Sequence, residues 1–422
     1  MKTYPLWWDS VASGPPFDQP PPDRADVAIV GAGYTGLAAA RALARRGARV
    51  VVLERERVGS GASSRNGGQV LAGLKPEPHA LVAMAGETRA RELFRASVEA
   101  IAALEGLIAE ERIECGYERV GHVLAASKPS HFDAFRAEQE LLARLFGHHV
   151  RLVPRKEQAS ELGSDAYHGL LVDERSGGLN PAAYVDGLAR AACRAGAILV
   201  ERAAVTGVVR QASGWRVETA RGALQAGELL IATNGYTGPV VPALQRRLIP
   251  IGSYVIATEP LGRELRALLP TRRMAFDSKH FLHYFRLTAD DRLLFGGRAI
   301  FGRATPAATA RSIEILRRDL AAIFPSLEGV RIDYGWSGLV AYTRDQLPHA
   351  GRLHGVWYAA GYCGHGVAMA TALGSAIASR IAGDRADHPL VDDGLQPVPL
   401  YRGRPWFLPI VALYFRWKDL IE

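Results

Sequence analysis

The chain lacks the raw material for a disulfide framework, a cysteine zinc site or a membrane span. Its 422 residues include three cysteines, Cys115, Cys193 and Cys363, far apart and without C-x-x-C spacing. That usage fits a reducing cytoplasm and gives no metal site. No run approaches the roughly 18 apolar residues that a spanning helix needs. Met1 to Pro22 is polar, aromatic and proline-rich with no apolar h-region, so no signal peptide is expected. The net charge of +8 is spread along the chain and carried mainly by arginine. A nucleic-acid binder clusters such charge on one element, so no nucleic-acid partner is expected. The excess is read as an aid to solubility or an attraction for anionic ligands. What remains is ordinary globular composition, 48% apolar and 22% charged, at a length that suits two interleaved domains.

After the proline-rich lead-in, Asp26 to Val30 reads as a short buried strand. Gly31, Gly33 and Gly36 follow as G-x-G-x-x-G, then a helical run from Leu37 to Arg46, Gly47 as a stop, and a second strand, Arg49 to Leu53, ending at Glu54. The acid falls about 20 residues past the glycines, where a dinucleotide fold uses one to hold ribose hydroxyls. Gly31 permits the tight turn, Gly33 lets backbone approach a pyrophosphate, and Gly36 lets helix and strand pack closely. The helix N-terminus then offers free amides and positive potential to phosphates. An acid at position 54 disfavours a 2′-phosphate and leaves FAD and NAD. The next stretch, Val58 to Gln69 (VGSGASSRNGGQ), is too rich in glycine and serine for another βαβ unit and reads as backbone wrapped around a ligand.

On these motifs the chain resembles the D-amino-acid-oxidase-like family of FAD oxidoreductases, in the branch of γ-glutamylputrescine, glycine and sarcosine oxidases. S-x-R-N-G-G-Q stands here as Ser63 to Gln69. The resemblance continues through Ser176 to Pro181, Glu228 to Thr233 with Asn234-Gly235, Trp336 to Leu339, Thr343, Asp345, Pro348, Gly351, and Gly361 to Gly366 opening a closing helix at 367–382. It implies an α/β (α+β overall) fold: a discontinuous Rossmann-like FAD-binding domain with an antiparallel-sheet substrate-binding domain. The expected boundaries are a lead-in at 1–24, the FAD domain at 25–95, 150–245 and 330–390, the substrate domain at 96–149 and 246–329, and a tail at 391–422. Carried residue by residue, it implies FAD contacts from Gly31, Gly33, Tyr34, Thr35, Gly36, Glu54 and Arg55, then Ser63, Ser64, Arg65, Asn66, Gly67, Gly68 and Gln69. Val205, Thr233, Asn234, Gly235, Gly361, Gly364, His365 and Gly366 complete the set. Amides opening the closing helix would stabilise negative charge on reduced flavin.

The same resemblance sets the expected chemistry, oxidation of an amine C–N bond by hydride transfer to flavin. The substrate is expected to be a γ-glutamylputrescine-like or other amine, with a cyclic or N-alkyl amino acid such as pipecolate, proline or sarcosine as the alternative. A flavin-holding electron-transfer subunit is the reading from another class, opposed by a complete substrate domain. Sarcosine oxidases bond flavin to a cysteine where Ala341 stands here, so the FAD is expected to be non-covalent. Glycine and D-amino acid oxidases clamp the substrate carboxylate with an arginine where this chain has Val340, which argues against a plain D-amino acid oxidase. Where sarcosine oxidases carry an oxygen-activating lysine this chain has Leu294, leaving O2 or a respiratory acceptor open. Candidate positioning residues are Tyr254, His280, Tyr284 and Arg286. Strand alternation puts the last three on one face and His283 and Phe285 on the other. Finally, Pro405 to Phe415 is apolar and aromatic between Arg402, Arg404, Arg416 and Lys418. A peripheral contact of 405–418 with the inner face of a membrane is one expectation, packing back on the protein the other.

Overall fold

The computed structural model describes residues 1–11, 17, 19–262, 265–297, 305–385 and 388–421. Two eight-stranded sheets organise them. The first runs His349–Leu353, Val356–Ala360, Gly222–Ile231, Arg24–Val30, Val50–Leu53 and Ile198–Val200 along its main path. Arg24–Val30 pairs in parallel with both neighbours, and Val50–Leu53 in parallel with Ile198–Val200. All-apolar strands such as Val50–Leu53 suit a sheet covered on both faces. One face packs on helices Tyr34–Ala44, Glu87–Glu111, Pro181–Arg194 and Gly366–Ile381, whose apolar stripes merge in one core around Leu37, Leu104, Leu188 and Leu373. An antiparallel extension, Val205–Gln211 and Gly214–Thr219, leads Trp215 and Val217 onto the other face.

The second sheet runs Ile332–Tyr342, Ile249–Thr258, Leu293–Gly297, His283–Leu287, Met274–Asp277, His122–Ala125, Gly169–Asp173 and Arg151–Pro154. It is antiparallel apart from one parallel pair, Met274–Asp277 with His122–Ala125. Helix Pro306–Ile323 covers its back through Ile313, Leu316 and Leu320. By sequence Arg292 to Arg298 reads as a strand; it is seen as Leu293–Gly297, and Arg298 lies outside the described residues. Among the described residues no helix is long and apolar enough to cross a membrane.

Sheet pairing divides the chain differently from the expected boundaries. Arg151–Pro154, Gly169–Asp173 and Ile332–Tyr342, all assigned to the cofactor domain, pair in the second sheet. The long helix Glu87–Glu111, split by a boundary at 95, belongs whole to the first core. Short strands carry no mark of which sheet they join, and the chain passes between the two sheets repeatedly. The lead-in is not detached either. Leu6 and Trp7 are buried, and the Lys2 amide donates to the Asp333 carbonyl at 2.7 Å.

A buried ion bridge ties the second sheet to its helix. His283 Nδ1 lies 3.0 Å from Asp277 Oδ2, and Nε2 lies 3.2 Å from Asp319 Oδ2. Burial opposes the imidazolium, but the two carboxylates prevail and raise its pKa to about 9. A base whose folded pKa is raised contributes stability in full below its unfolded value, about 6.5, and loses it as pH climbs through about 9. The stability gap between wild type and His283→Gln should therefore be widest at pH 6 and shrink by pH 9.5. A gap in thermal midpoint that stays constant over that range would contradict the bridge.

Candidate active site

The glycine turn does what its spacing demands. A side-chain carbon on Gly36 would fall onto the Gly31 carbonyl oxygen, and one on Gly31 would meet the Ala232 oxygen at 2.9 Å. Strand, turn and helix are thus packed backbone to backbone. The helix Tyr34–Ala44 starts at Gly33 with no side chain capping it, although the Tyr34 amide donates to Ser63 Oγ at 3.1 Å. Glu54 closes the second strand. Its Oε2 accepts from the Ala32 amide at 2.8 Å and Oε1 from the Glu56 amide at 3.1 Å, which fixes the carboxylate plane. Burial pushes its pKa above the ordinary carboxylate value, while those amides and Arg55 pull the other way.

From Glu54 a cavity of about 400 Å³ runs past Gly31, Gly33, Tyr34, Thr35 and Arg55, alongside Ser63 and Asn66, to Cys363, Gly364 and Gly366. Val205, Thr233 and Asn234 also line it. The Asn234 side chain accepts from the Gly361 amide at 2.9 Å, locking two turns that lie far apart in sequence. At the far end the helix Gly366–Ile381 begins without a side-chain cap. A side-chain carbon on Gly364 would point into open space, which leaves room at the helix mouth. An adenine dinucleotide fits this arrangement: an acid at one end, uncapped helix amides in the middle, and a second helix N-terminus at the other.

Other expected cofactor residues shape the cleft instead of lining it. Ser64 Oγ donates to the Gly59 carbonyl at 2.7 Å, and Arg65 donates to Ser60 and Ser337 carbonyls at 2.7 and 3.1 Å. Gly67 lies under the Tyr284 ring, Gly235 against Leu339, and Gln69 in a two-residue strand paired with Gly178. His365 faces a second cavity. Three tryptophans hold this segment from outside. Trp7, Trp8 and Trp336 donate their indole N–H to Asn66 O, Ser64 Oγ and Arg65 O at 2.8–2.9 Å. The two from the lead-in were missed by sequence reasoning, although a buried-type pair in a short proline-rich stretch was a usable sign. Tyr236 and Tyr362, which also line the cleft, were missed as well.

The second cavity measures about 1080 Å³. Its lining lies next to that of the first in the chain: Leu339, Val340, Cys363 and Gly364 line one, Tyr342, Thr343 and His365 the other. His280 faces it. Tyr254 does not, being fully buried in the core behind the second sheet. Tyr284 packs on Gly67 and Gly296. Arg286 is a clasp: its Nη1 donates to the Gly68 and Leu179 carbonyls at 3.0 and 2.9 Å. Burial pulls its pKa down to about 10, so it remains charged at neutral pH. Leu294 is fully buried against the Gly67 turn. Burial raises the Cys363 thiol to about 11. It donates to the Gly361 carbonyl at 3.1 Å, which describes an inert thiol.

A dinucleotide cleft opening beside a large cavity under an antiparallel sheet defines a two-domain flavin-type oxidoreductase. Residues 26–380 match the family model described as DAO, FAD dependent oxidoreductase, and the chain belongs to that family. It is 35% identical over 390 residues to the probable oxidoreductase OrdL of Haemophilus influenzae, covering 90% of this chain and 88% of that one. It is 34% identical over 400 residues to the γ-glutamylputrescine oxidoreductase of Escherichia coli, covering 93% and 92%. The fold matches the crystal structure of glycine oxidase from Geobacillus kaustophilus with a TM-score of 0.74, at 22% identity over 87% of this chain and 97% of that one. The protein is an FAD-dependent oxidoreductase of the kind that acts on amines or amino acids.

Proposed function

We propose that the protein oxidises the C–N bond of an extended amine of the γ-glutamylputrescine type, held in the second cavity. When bound, FAD supplies a two-electron acceptor for the hydride on the carbon beside nitrogen, leaving an imine that water hydrolyses. The chain's contribution is to orient that carbon and exclude bulk water from it. The observation that carries the reading is the second cavity's size, about 1080 Å³ where it adjoins the flavin cleft. A small amino acid would rattle in such a space, and Val340 offers no carboxylate clamp. The relative from Escherichia coli points to the same substrate class. His280 is the positioning residue proposed here, as the candidate that faces the cavity. The buried thiol of Cys363 and the apolar Ala341 favour non-covalent FAD.

Anaerobic bleaching of the flavin against polyamines, their γ-glutamyl derivatives and cyclic imino acids tests this. The γ-glutamyl diamines should bleach it fastest, and bleaching by proline or pipecolate alone would reject the substrate. Reoxidation of the bleached protein by air or by a quinone then assigns the acceptor, O2 or a respiratory carrier. A peripheral membrane contact fits the C-terminal segment. Trp406, Ile410, Leu413, Tyr414 and Trp417 are each at least half exposed, beside exposed Arg402, Arg404 and Arg416. Aromatic residues and cations in one stripe suit an anionic lipid surface. Cell fractionation with and without residues 405–422 should show membrane partition lost on removal, and identical partition would dismiss the contact.

A further inference from the structure

Residues beyond 380 lie outside the stretch that matches the family. They nevertheless reach the second cavity, because the chain returns across it as the helix Leu408–Ile421. This helix is 14 residues, or about 21 Å, long, too short to be stable alone in water. Its order comes from contacts at both ends. Leu408 is 2% exposed and packs with Ile251 of the second sheet. Near the other end the Asp419 carboxylate accepts from the His280 amide at 2.7 Å and the Phe281 amide at 3.0 Å. Between them the Phe415 ring lies 5.0 Å from the His280 ring, and the Arg416 guanidinium 5.3 Å from the Phe281 ring. The helix therefore spans the cavity as a beam fixed to the sheet and to the loop before strand His283–Leu287.

Where it meets the cavity the helix is apolar at Leu408, Val411 and Phe415, with Phe407 just before it, and turns charged at Lys418 and Asp419 near its end. Phe135 and Leu81 line the cavity as well, from helices Pro129–Leu141 and Pro78–Ala85. Such surfaces suit the methylene stem of a long aliphatic amine, whereas a short amine at the flavin end never reaches them. We propose that the C-terminal helix is the wall of the amine cavity that sets which chain lengths are accepted. This rests on the second cavity being the substrate site. It assigns specificity to a segment outside the family's common body.

Two full-length variants test it in opposite directions. Val411→Trp fills the space and Phe415→Ala enlarges it. The ratio of kcat/KM for the longest to the shortest amine turned over should fall about tenfold in the first and rise in the second. Unchanged ratios in both variants, with wild-type flavin spectra, would overturn the wall. A second readout needs no amine. Iodide quenching of flavin fluorescence should increase at least about twofold in Phe415→Ala, because solvent then enters from that side. If no amine bleaches the wild-type flavin, the functional reading fails. Quenching then decides the wall alone, and a wild-type quenching constant in Phe415→Ala would reject it.

Discussion

Alanine at Gly36 is expected to yield a chain that holds no flavin and is recovered poorly folded. The added carbon would sit on the Gly31 carbonyl oxygen, and no rotamer change can relieve a clash between two backbones. Alanine at Gly33 should behave differently. There the added carbon meets Ser63 Oγ at 2.8 Å, and a hydroxyl can turn away. The fold should survive while the methyl group occupies the approach to the uncapped helix amides. Flavin affinity should then fall at least about tenfold, or about 1.4 kcal/mol. Visible absorbance per chain, thermal midpoint and flavin titration of the apoprotein separate the two cases. Full flavin content in Gly36→Ala would contradict the assignment of the turn as the dinucleotide cradle.

Replacement of Arg286 should produce the second large effect, on stability and flavin retention together. Its guanidinium crosses from the second sheet to the carbonyls of Gly68 and Leu179, so it pins the flavin segment to the neighbouring strand. Gly68 O keeps another donor in the Leu179 amide, but among the described residues Arg286 is the sole donor to Leu179 O. In Arg286→Met that buried acceptor is stranded, at a cost of about 2 kcal/mol. Arg286→Lys should rescue only in part, because an ammonium can serve the two carbonyls that Nη1 holds but not also the Leu287 carbonyl that Nε bonds at 3.2 Å. A lowered thermal midpoint with faster flavin release is the expected result. Stable, flavin-replete Arg286→Met with altered KM alone would make this residue a substrate ligand instead.

The contrast between Gly36 and Arg286 explains what could be read in advance. The glycine turn, Glu54 and the closing helix were legible because their chemistry is local, set by a few consecutive residues and one ligand. The observed bounds, Tyr34–Ala44 and Gly366–Ile381, differ from the expected ones by a few residues at most. Alternation also placed Arg286 opposite His283 and Phe285, since strand periodicity is geometric, but His280 precedes the strand and falls outside that alternation. What Arg286 meets was hidden, because Gly68 and Leu179 are more than a hundred residues away. Distance also hides the sheet of strand Ile332–Tyr342, whose partner Ile249–Thr258 lies 74 to 93 residues back in the chain. The tail offered two readings, and its apolar face alone could not choose. The structure gives both faces a setting, with Leu408 inward and Ile410 and Trp417 outward.

The cradle also has a consequence for how the protein is made. Gly31 and Gly33, Thr233 and Asn234, and Gly364 and Gly366 border one cleft, though they are spread from one end of the chain almost to the other. A ribosome emits them in turn over tens of seconds, at about 5–20 residues per second. The early glycine turn thus waits for its counterpart until the closing helix has been made. A complete cradle for the cofactor therefore exists only once the closing helix has emerged, and the earlier turns must persist without it.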